Sequence, residues 1–127
     1  MTAIALVDDD AGVRQAMGAL LRSLGYSVTA FATAETFLSS EQLHDTSCLI
    51  TDVQMPGMSG IELQARLKAD GHRLPVILIT AFPDEGVRDR AMQLGAVSFL
   101  TKPVNQATLV DCLDRALNSD LSDQRRR

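Results

Sequence analysis

The sequence of 127 residues contains few cysteines, histidines and lysines, and it lacks any long apolar run. Its two cysteines, Cys48 and Cys112, sit inside apolar segments without close-spaced Cys or His partners, which argues against a zinc site and predicts two buried, reduced thiols. No segment approaches the roughly 20 apolar residues of a membrane span, and no basic stretch precedes the first apolar run. We therefore expect a soluble, cytoplasmic protein that does not bind membranes.

Clustered basic residues and phosphate-binding glycine loops are also missing. The 16 acidic residues outnumber the 12 basic ones, and three of the arginines are the last three residues. Such an acidic surface is poorly suited to nucleic acid phosphates, so direct nucleic acid binding is not expected. Neither a glycine-rich dinucleotide loop nor a loop ending in Lys-Ser/Thr is present, which disfavours nucleotide binding. The apolar fraction of 46% instead predicts one globular domain with a substantial core.

The sequence does contain a regular alternation of short apolar runs with longer segments of helical period. We count five such units, the pattern of a βα repeat that forms a parallel sheet. Polar residues suited to N-terminal caps and glycines suited to C-terminal stops bound most of the helices. The predicted strands are residues 3–7, 27–31, 48–51, 76–79 and 97–101. The predicted helices are residues 11–24, 34–40, 59–69 and 84–95, and one that begins near Asn105.

The composition of the strands predicts their order in the sheet. The first, third and fourth are almost continuously apolar, as expected of central strands, whereas the second and fifth alternate with polar residues and are predicted edges. Short right-handed crossovers then favour the order 2-1-3-4-5. The predicted fold is therefore α/β, a flavodoxin-like (βα)5 doubly wound parallel sheet. We assign the domain to residues 1–118, and residues 119–127, which lack an apolar period, to a tail or a truncated linker.

Four of the predicted strands end in residues suited to phosphate chemistry. If these strands are parallel neighbours, the side chains meet at one edge of the sheet, where the carboxylates carry too much negative charge to be stable alone. A divalent cation would compensate that charge, and oxygen-only ligands favour Mg²⁺, with Mn²⁺ as an alternative. The residues are Asp8, Asp9 and Asp10 after the first strand, Asp52 after the third, Thr80 after the fourth and Lys102 after the fifth.

Each of these residues has an ordinary structural reading alone, as a helix cap, a turn residue or a solvated loop end. Their joint occurrence at four strand ends favours a functional site. An aspartate can attack phosphorus and hold the product as an acyl phosphate, and Asp52 at the end of a central strand suits that part. Asp9, and Asp8 directly or through water, suit the metal. Lys102 and Thr80 can supply a positive charge and a hydroxyl to the phosphoryl oxygens.

A set of motifs occurs in order along the chain, namely Val7-Asp8-Asp9-Asp10, Asp52 with Met55-Pro56 and Gly60, Thr80-Ala81, Gly95-Ala96 and Lys102-Pro103. In these motifs and their spacing the sequence resembles the receiver domains of two-component response regulators, over residues 1 to about 118. The segment between Thr80 and Gly95, together with residues 97–100, is most similar to the nitrogen-fixation regulators that carry a C-terminal helix-turn-helix domain.

The resemblance implies a phosphoacceptor in a phosphorelay rather than an enzyme. Asp52 would accept phosphate from a sensor histidine kinase. Mg²⁺ would be held by Asp9, Asp52 and the backbone carbonyl of Gln54, with Asp8 assisting through water. Beyond promoting its own phosphorylation and dephosphorylation, such a domain has no catalytic activity.

The resemblance also implies a conformational switch. Thr80 and Lys102 would bind the phosphoryl group, Thr80 moving toward it as Phe99 turns inward, and the Lys102–Pro103 bond would be cis. The signal would emerge on the face formed by helix 4, strand 5 and helix 5, and would control homodimerisation or a C-terminal DNA-binding domain. The sequence ends without such a domain, as a single-domain regulator or a receiver taken from a longer protein would.

Two alternatives remain open at this stage. A haloacid-dehalogenase-like phosphatase would use Asp8 as nucleophile and Asp10 as acid/base, but it leaves Asp52 and Met55-Pro56 without a role. A receiver-like binding module that is never phosphorylated is the second alternative, although no acidic or lysine position is lost here. Acetyl phosphate separates these readings, because a receiver forms one labile adduct on Asp52 whereas a phosphatase turns over free phosphate monoesters.

Overall fold

A computed structural model describes residues 2–125, with side-chain surroundings described up to Asn118. Strands and helices alternate along the chain, as the sequence predicts. The strands are Ala3–Val7 (β1), Ser27–Phe31 (β2), Cys48–Asp52 (β3), Val76–Thr80 (β4) and Ser98–Thr101 (β5). The helices are Ala11–Ser23 (α1), Ala34–Leu38 (α2), Gly60–Ala69 (α3), Glu85–Gln93 (α4) and Gln106–Arg125 (α5), with a short 3-10 helix at Glu41–Asp45.

The five strands form one parallel sheet in the order β2-β1-β3-β4-β5. This confirms the predicted flavodoxin-like arrangement and its edge strands. Strands β3 and β4 are buried over their full length, whereas β2 and β5 retain exposed residues. The chain reverses direction between β1 and β3, so a crevice opens at the carboxyl ends of these two strands.

Two apolar layers cover the sheet. Leu49 and Leu78 belong to the layer beneath α2, α3 and α4, and Ile50 and Ile77 belong to the layer beneath α1 and α5. Neighbouring residues of one strand thus face opposite layers, which explains why the central strands are apolar without alternation. Cys48 and Cys112 are buried in the second layer, as predicted. Burial raises the pKa of the Cys48 thiol to about 12, so this thiol stays protonated.

Polar side chains cap the N-terminal ends of α1, α3, α4 and α5. The Asp10 carboxylate accepts hydrogen bonds from the backbone N–H groups of Gly12 and Val13 at the start of α1. Ser59 and Glu62 form a reciprocal capping box at the start of α3. The side chains of Asp84 and Asn105 accept backbone N–H groups at the starts of α4 and α5. Three glycines with positive φ follow the C-terminal ends of helices, namely Gly25, Gly71 and Gly95.

Helices α1, α2 and α4 end one or two residues before their predicted positions. Helix α2 stops at Leu38, not at residue 40, because Ser40 adopts an extended conformation and its hydroxyl caps the 3-10 helix at Gln42. Helix α5 continues through residues 119–125, past the end of the apolar stripe. The assignment of 119–127 to a tail or linker stays a prediction, and Arg126 and Arg127 lie outside the described residues. Within residues 2–125, none of the helices combines the length and apolarity needed to cross a bilayer.

Candidate functional site

The carboxyl ends of four strands meet at one edge of the sheet. Asp8 directly follows β1, Asp52 is the last residue of β3, Thr80 is the last residue of β4, and Lys102 directly follows β5. The last residues of β4 and β5 are paired in register, and in the pairs β1–β3 and β3–β4 the strand ends are offset by one residue. Asp8, Asp52 and Thr80 are buried, and Lys102 is half-buried. The fold therefore brings these four predicted residues to the same edge.

The Lys102 side chain joins two of the carboxylates. Its Nζ atom lies 3.0 Å from Asp8 Oδ2 and 3.0 Å from Asp52 Oδ2. Its backbone N–H donates to the carbonyl of Thr80 at 2.8 Å, and its peptide bond to Pro103 is cis, as the resemblance implied. Both side-chain contacts are charge-assisted hydrogen bonds in a partly buried setting, so the ammonium is held over the Asp52 carboxylate.

Opposing effects act on the pKa of the Asp52 carboxyl. Burial raises the pKa of the Asp52 carboxyl above its ordinary value, and the nearby charge of Asp8 raises it further. The hydrogen bond and charge of Lys102 and the backbone N–H of Gln54 lower it, but the net shift is upward. For Lys102, burial lowers the pKa, yet its bonds to the two carboxylates outweigh burial and the net pKa is raised. The lysine is therefore firmly protonated at neutral pH.

Three carboxylates of the site could hold a metal ion together. One oxygen from each of Asp8, Asp9 and Asp52 lies within 4.8 Å of the other two. If all three are ionised, the single ammonium of Lys102 leaves two negative charges uncompensated, the amount that one divalent cation carries. An oxygen-only donor set of this kind matches hard cations such as Mg²⁺. The donor set therefore fits the metal that the resemblance implied.

Asp10 does not belong to this cluster. Its carboxylate is engaged with the first turn of α1, where Oδ1 lies 2.8 Å from Gly12 N and 3.2 Å from Val13 N. A phosphatase of the haloacid-dehalogenase type would need this carboxylate free as its acid/base. The structure gives Asp10 a capping role instead, and it offers no support for that alternative.

Thr80 is bonded to a residue that the sequence did not connect with it. The Thr80 hydroxyl lies 2.6 Å from the side-chain oxygen of Gln54 and accepts the backbone N–H of Phe82 at 2.9 Å. The backbone N–H of Gln54 donates to Asp52 Oδ1 at 3.3 Å. The sequence did not predict this contact, because a loop side chain has no period or spacing from which its contact could be read. The role of the Gln54 backbone carbonyl as a metal ligand stays a prediction.

The backbone around Asp52 is supported by a close helix approach. Thr51 donates its hydroxyl to the Asp52 carbonyl at 3.0 Å, and the Gly60 N–H donates to the Val53 carbonyl at 2.9 Å. A Cβ atom added to Gly60 would collide with the Asp52 backbone oxygen. Glycine at the first residue of α3 therefore lets this helix pack directly against the end of β3.

Phe99 lies on the same side of the sheet as Thr80. It pairs in register with Leu78, two residues before Thr80, and it packs half-buried against the layer that contains Leu78. Residues at the start of α4 and Thr101 line a cavity beside its ring. Whether this ring turns inward on phosphorylation stays a prediction, but the position is compatible with that motion.

Comparison with known proteins identifies the relatives of the chain. TodT, a response regulator protein of Pseudomonas putida, is 40% identical over 114 residues, which cover 90% of this chain and 50% of TodT. FixJ, a transcriptional regulatory protein of Bradyrhizobium diazoefficiens, is 39% identical over 114 residues, which cover 90% of this chain and 56% of FixJ. The chain thus spans about half the length of the curated relatives it matches.

Solved structures agree with these relatives. The crystal structure of FixJ-N superposes with a TM-score of 0.83 at 32% identity, covering 93% of this chain and 94% of that chain. The response regulator StyR superposes with a TM-score of 0.89 at 40% identity, covering 99% of this chain and 64% of that chain. The response regulator receiver domain family matches residues 4–114. The chain belongs to the response regulator receiver domain family.

Proposed function

We propose that Asp52 is the phosphoacceptor of a two-component phosphorelay and that a sensor histidine kinase is the donor. The observation that carries this proposal is the placement of Asp52 at the end of a central strand, 3.0 Å from the Lys102 ammonium and beside the carboxylates of Asp8 and Asp9. In such a site the Asp52 carboxylate is positioned to attack phosphorus, and the positive charge of Lys102 is already in place for the incoming phosphate. Membership of the receiver family supports the same function.

In the proposed transfer, a carboxylate oxygen of Asp52 forms a bond to phosphorus as the bond from phosphorus to the imidazole nitrogen of a phosphohistidine breaks. The electron pair stays on that nitrogen, and neutral imidazole leaves because the other ring nitrogen carries a proton. Lys102 then exchanges its bond with Asp52 for one with a phosphoryl oxygen, and the Thr80 hydroxyl binds another. The domain is a signalling module, and we propose no catalysis beyond its own phosphorylation and dephosphorylation.

Asp8, Asp9, Asp52 and the backbone carbonyl of Gln54 would hold Mg²⁺ or Mn²⁺ in this proposal. The ion supplies positive charge that neutralises phosphoryl oxygens during the transfer. The role of the chain's own residues is to keep three carboxylate oxygens within 4.8 Å of one another without further rearrangement. Because burial and the charge of Asp8 both raise the pKa of Asp52, added positive charge also favours the ionised nucleophile.

The output of the domain is proposed to follow from Thr80 and Phe99. Movement of both side chains would alter the face formed by α4, β5 and α5, which would then control homodimerisation or a C-terminal DNA-binding domain. The curated relatives are about twice as long as the matched segment, and one is named a transcriptional regulatory protein. We propose that residues 1–118 form the receiver, that residues 119–127 form a tail or a truncated linker, and that the protein works in the cytoplasm.

Mass spectrometry after incubation with acetyl phosphate and Mg²⁺ tests the proposal. We expect one added phosphoryl group in wild type and none in Asp52→Asn. The control is Asp70→Asn, which should keep the added group, because Asp70 is an exposed carboxylate that pairs with Arg66 on α3. An adduct that persists in Asp52→Asn would refute the assignment. Hydrolysis of a free phosphate monoester would favour the phosphatase reading, and an unmodified wild-type protein would favour the binding module.

A further inference from the structure

The Thr80 hydroxyl has both of its hydrogen-bonding functions in use. It accepts the backbone N–H of Phe82 at 2.9 Å, and it contacts the side-chain oxygen of Gln54 at 2.6 Å. An amide oxygen can only accept, so the hydroxyl must be the donor in the second contact. A hydroxyl carries one proton, and this proton is therefore directed to Gln54.

The proposed function requires the Thr80 hydroxyl to donate this same proton to the phosphoryl group. To bind a phosphoryl oxygen, the Thr80 hydroxyl must donate to it, because that oxygen also only accepts. The two bonds exclude each other. We propose that the Gln54 side chain is a positioning residue that holds Thr80 in its unphosphorylated orientation and competes with the phosphoryl group for the Thr80 hydroxyl proton. This inference rests on the proposed function and adds a residue that sets its equilibrium.

The position of Gln54 connects the acceptor to the switch. Its backbone N–H donates to Asp52 Oδ1, whereas its side chain accepts from Thr80. A change at the Asp52 carboxylate is therefore transmitted through one residue to the bond that restrains Thr80. Thr80 is fully buried whereas Gln54 is exposed, so without the Gln54 oxygen the Thr80 hydroxyl would exchange a fixed protein acceptor for water in the unphosphorylated state. Loss of that acceptor destabilises the unphosphorylated orientation selectively.

A double-mutant cycle with beryllium trifluoride, a stable phosphate mimic, tests this competition. Gln54→Met keeps the length of the side chain but removes the amide acceptor, and Gln54→Ala serves as a second variant in case methionine packs differently. Both should bind beryllium trifluoride with Mg²⁺ roughly three- to tenfold more tightly than wild type, the effect of one hydrogen bond. In the Thr80→Val background, where no hydroxyl exists, the same substitutions should change affinity less than about twofold.

A measurement without any phosphate mimic separates this inference from the proposed function. In wild type, three-bond couplings to the Thr80 methyl carbon should report one fixed rotamer, and in Gln54→Met they should report rotamer averaging. Unchanged or weaker binding by both Gln54 variants would overturn the competition, as would an equal gain in the Thr80→Val background. If wild type binds no beryllium trifluoride, the proposed function fails, and the competition for the Thr80 proton fails with it. The couplings then report only whether the hydrogen bond between Thr80 and Gln54 exists.

Discussion

Lys102 and Asp52, which are 50 residues apart in the sequence, are joined by a 3.0 Å ion pair at the carboxyl edge of the sheet. The same ammonium lies 3.0 Å from Asp8, so one cation holds two buried carboxylates in place. Before any phosphate arrives, this contact compensates part of the negative charge that the site requires. Its consequences for stability can be measured separately from phosphorylation.

Lys102→Met should lower the stability of the unphosphorylated domain. The substitution leaves two buried carboxylates without their shared donor, and an unsatisfied buried group of this kind costs about 1–3 kcal/mol. Urea unfolding at pH 7 in the absence of divalent ions measures the change. The matched control is Lys68→Met on the exposed surface of α3, which should stay within about 0.5 kcal/mol of wild type. Equal effects of the two variants would contradict a special role for the Lys102 contacts.

Asp52→Asn should change the pH dependence of stability. Because burial raises the pKa of Asp52 above its ordinary value of 3.8, the folded state binds a proton more tightly than the unfolded state does. The resulting stability is fully present below pH 3.8 and is lost as the pH rises through the folded pKa. Asp52→Asn has no carboxyl that titrates at this position, so its free energy of unfolding should rise relative to that of wild type as the pH increases through that window. At higher pH the difference between the two proteins should stay constant.

Urea unfolding in EDTA at a series of pH values from acidic to neutral measures this difference. Asp45→Asn, in the exposed 3-10 helix, is the control for the removal of a carboxylate that is not buried. A difference between Asp52→Asn and wild type that is independent of pH would show that the Asp52 pKa does not rise on folding.

The fold and most of the site were predictable because the strand ends are marked in the sequence. Asp8, Asp52, Thr80 and Lys102 each end an apolar run, and parallel pairing places such residues at one edge whatever the loops do. The bond between Thr80 and Gln54 was not predictable, since it depends on a side-chain orientation within a loop. The continuation of α5 to Arg125 was also missed, because a helix without an apolar stripe has no period to detect.

Mg²⁺ should stabilise the domain through Asp9. A ligand that binds only the folded state adds about 1.4 kcal/mol to the free energy of unfolding when its concentration is ten times its Kd. At such a concentration Mg²⁺ should raise the Tm by several degrees. Asp9→Asn should remove most of that gain, because it takes one of the three clustered carboxylates away. Asp10→Asn is a close control, since asparagine also caps helices and Asp10 lies outside the cluster. Equal Mg²⁺ responses in both variants would exclude Asp9 as a ligand.

Gly60→Ala should disturb the backbone of β3 at Asp52. The added Cβ would collide with the Asp52 backbone oxygen and lies 3.1 Å from Val53 Cα, so α3 must move away from β3. We expect a loss of about 1–3 kcal/mol, as in overpacked cores, together with slower phosphorylation by acetyl phosphate. The control is Gly18→Ala in α1, where the new Cβ meets only the flexible end of Arg22. If Gly18→Ala is as harmful as Gly60→Ala, the close approach at Asp52 is not the cause.

Phosphorylation should strengthen dimerisation through the face formed by α4, β5 and α5. Thr80 and Phe99 lie near this face, and its helices carry exposed charges of both signs, including Arg88, Asp89 and Asp111. Exposed ion pairs contribute about 0–1 kcal/mol each and are screened by salt, so the dimer should be weak and salt-sensitive.

Analytical ultracentrifugation with and without beryllium trifluoride, each at low and high salt, measures the dimer fraction. Arg88→Ala on α4 should reduce dimerisation in the presence of the mimic, whereas Arg66→Ala on α3, which pairs with Asp70 away from this face, should not. If the dimer fraction is the same in all four conditions, this face does not mediate phosphorylation-dependent self-association. The effect of phosphorylation would then have to reach another surface, and a C-terminal domain of the same protein could provide that surface.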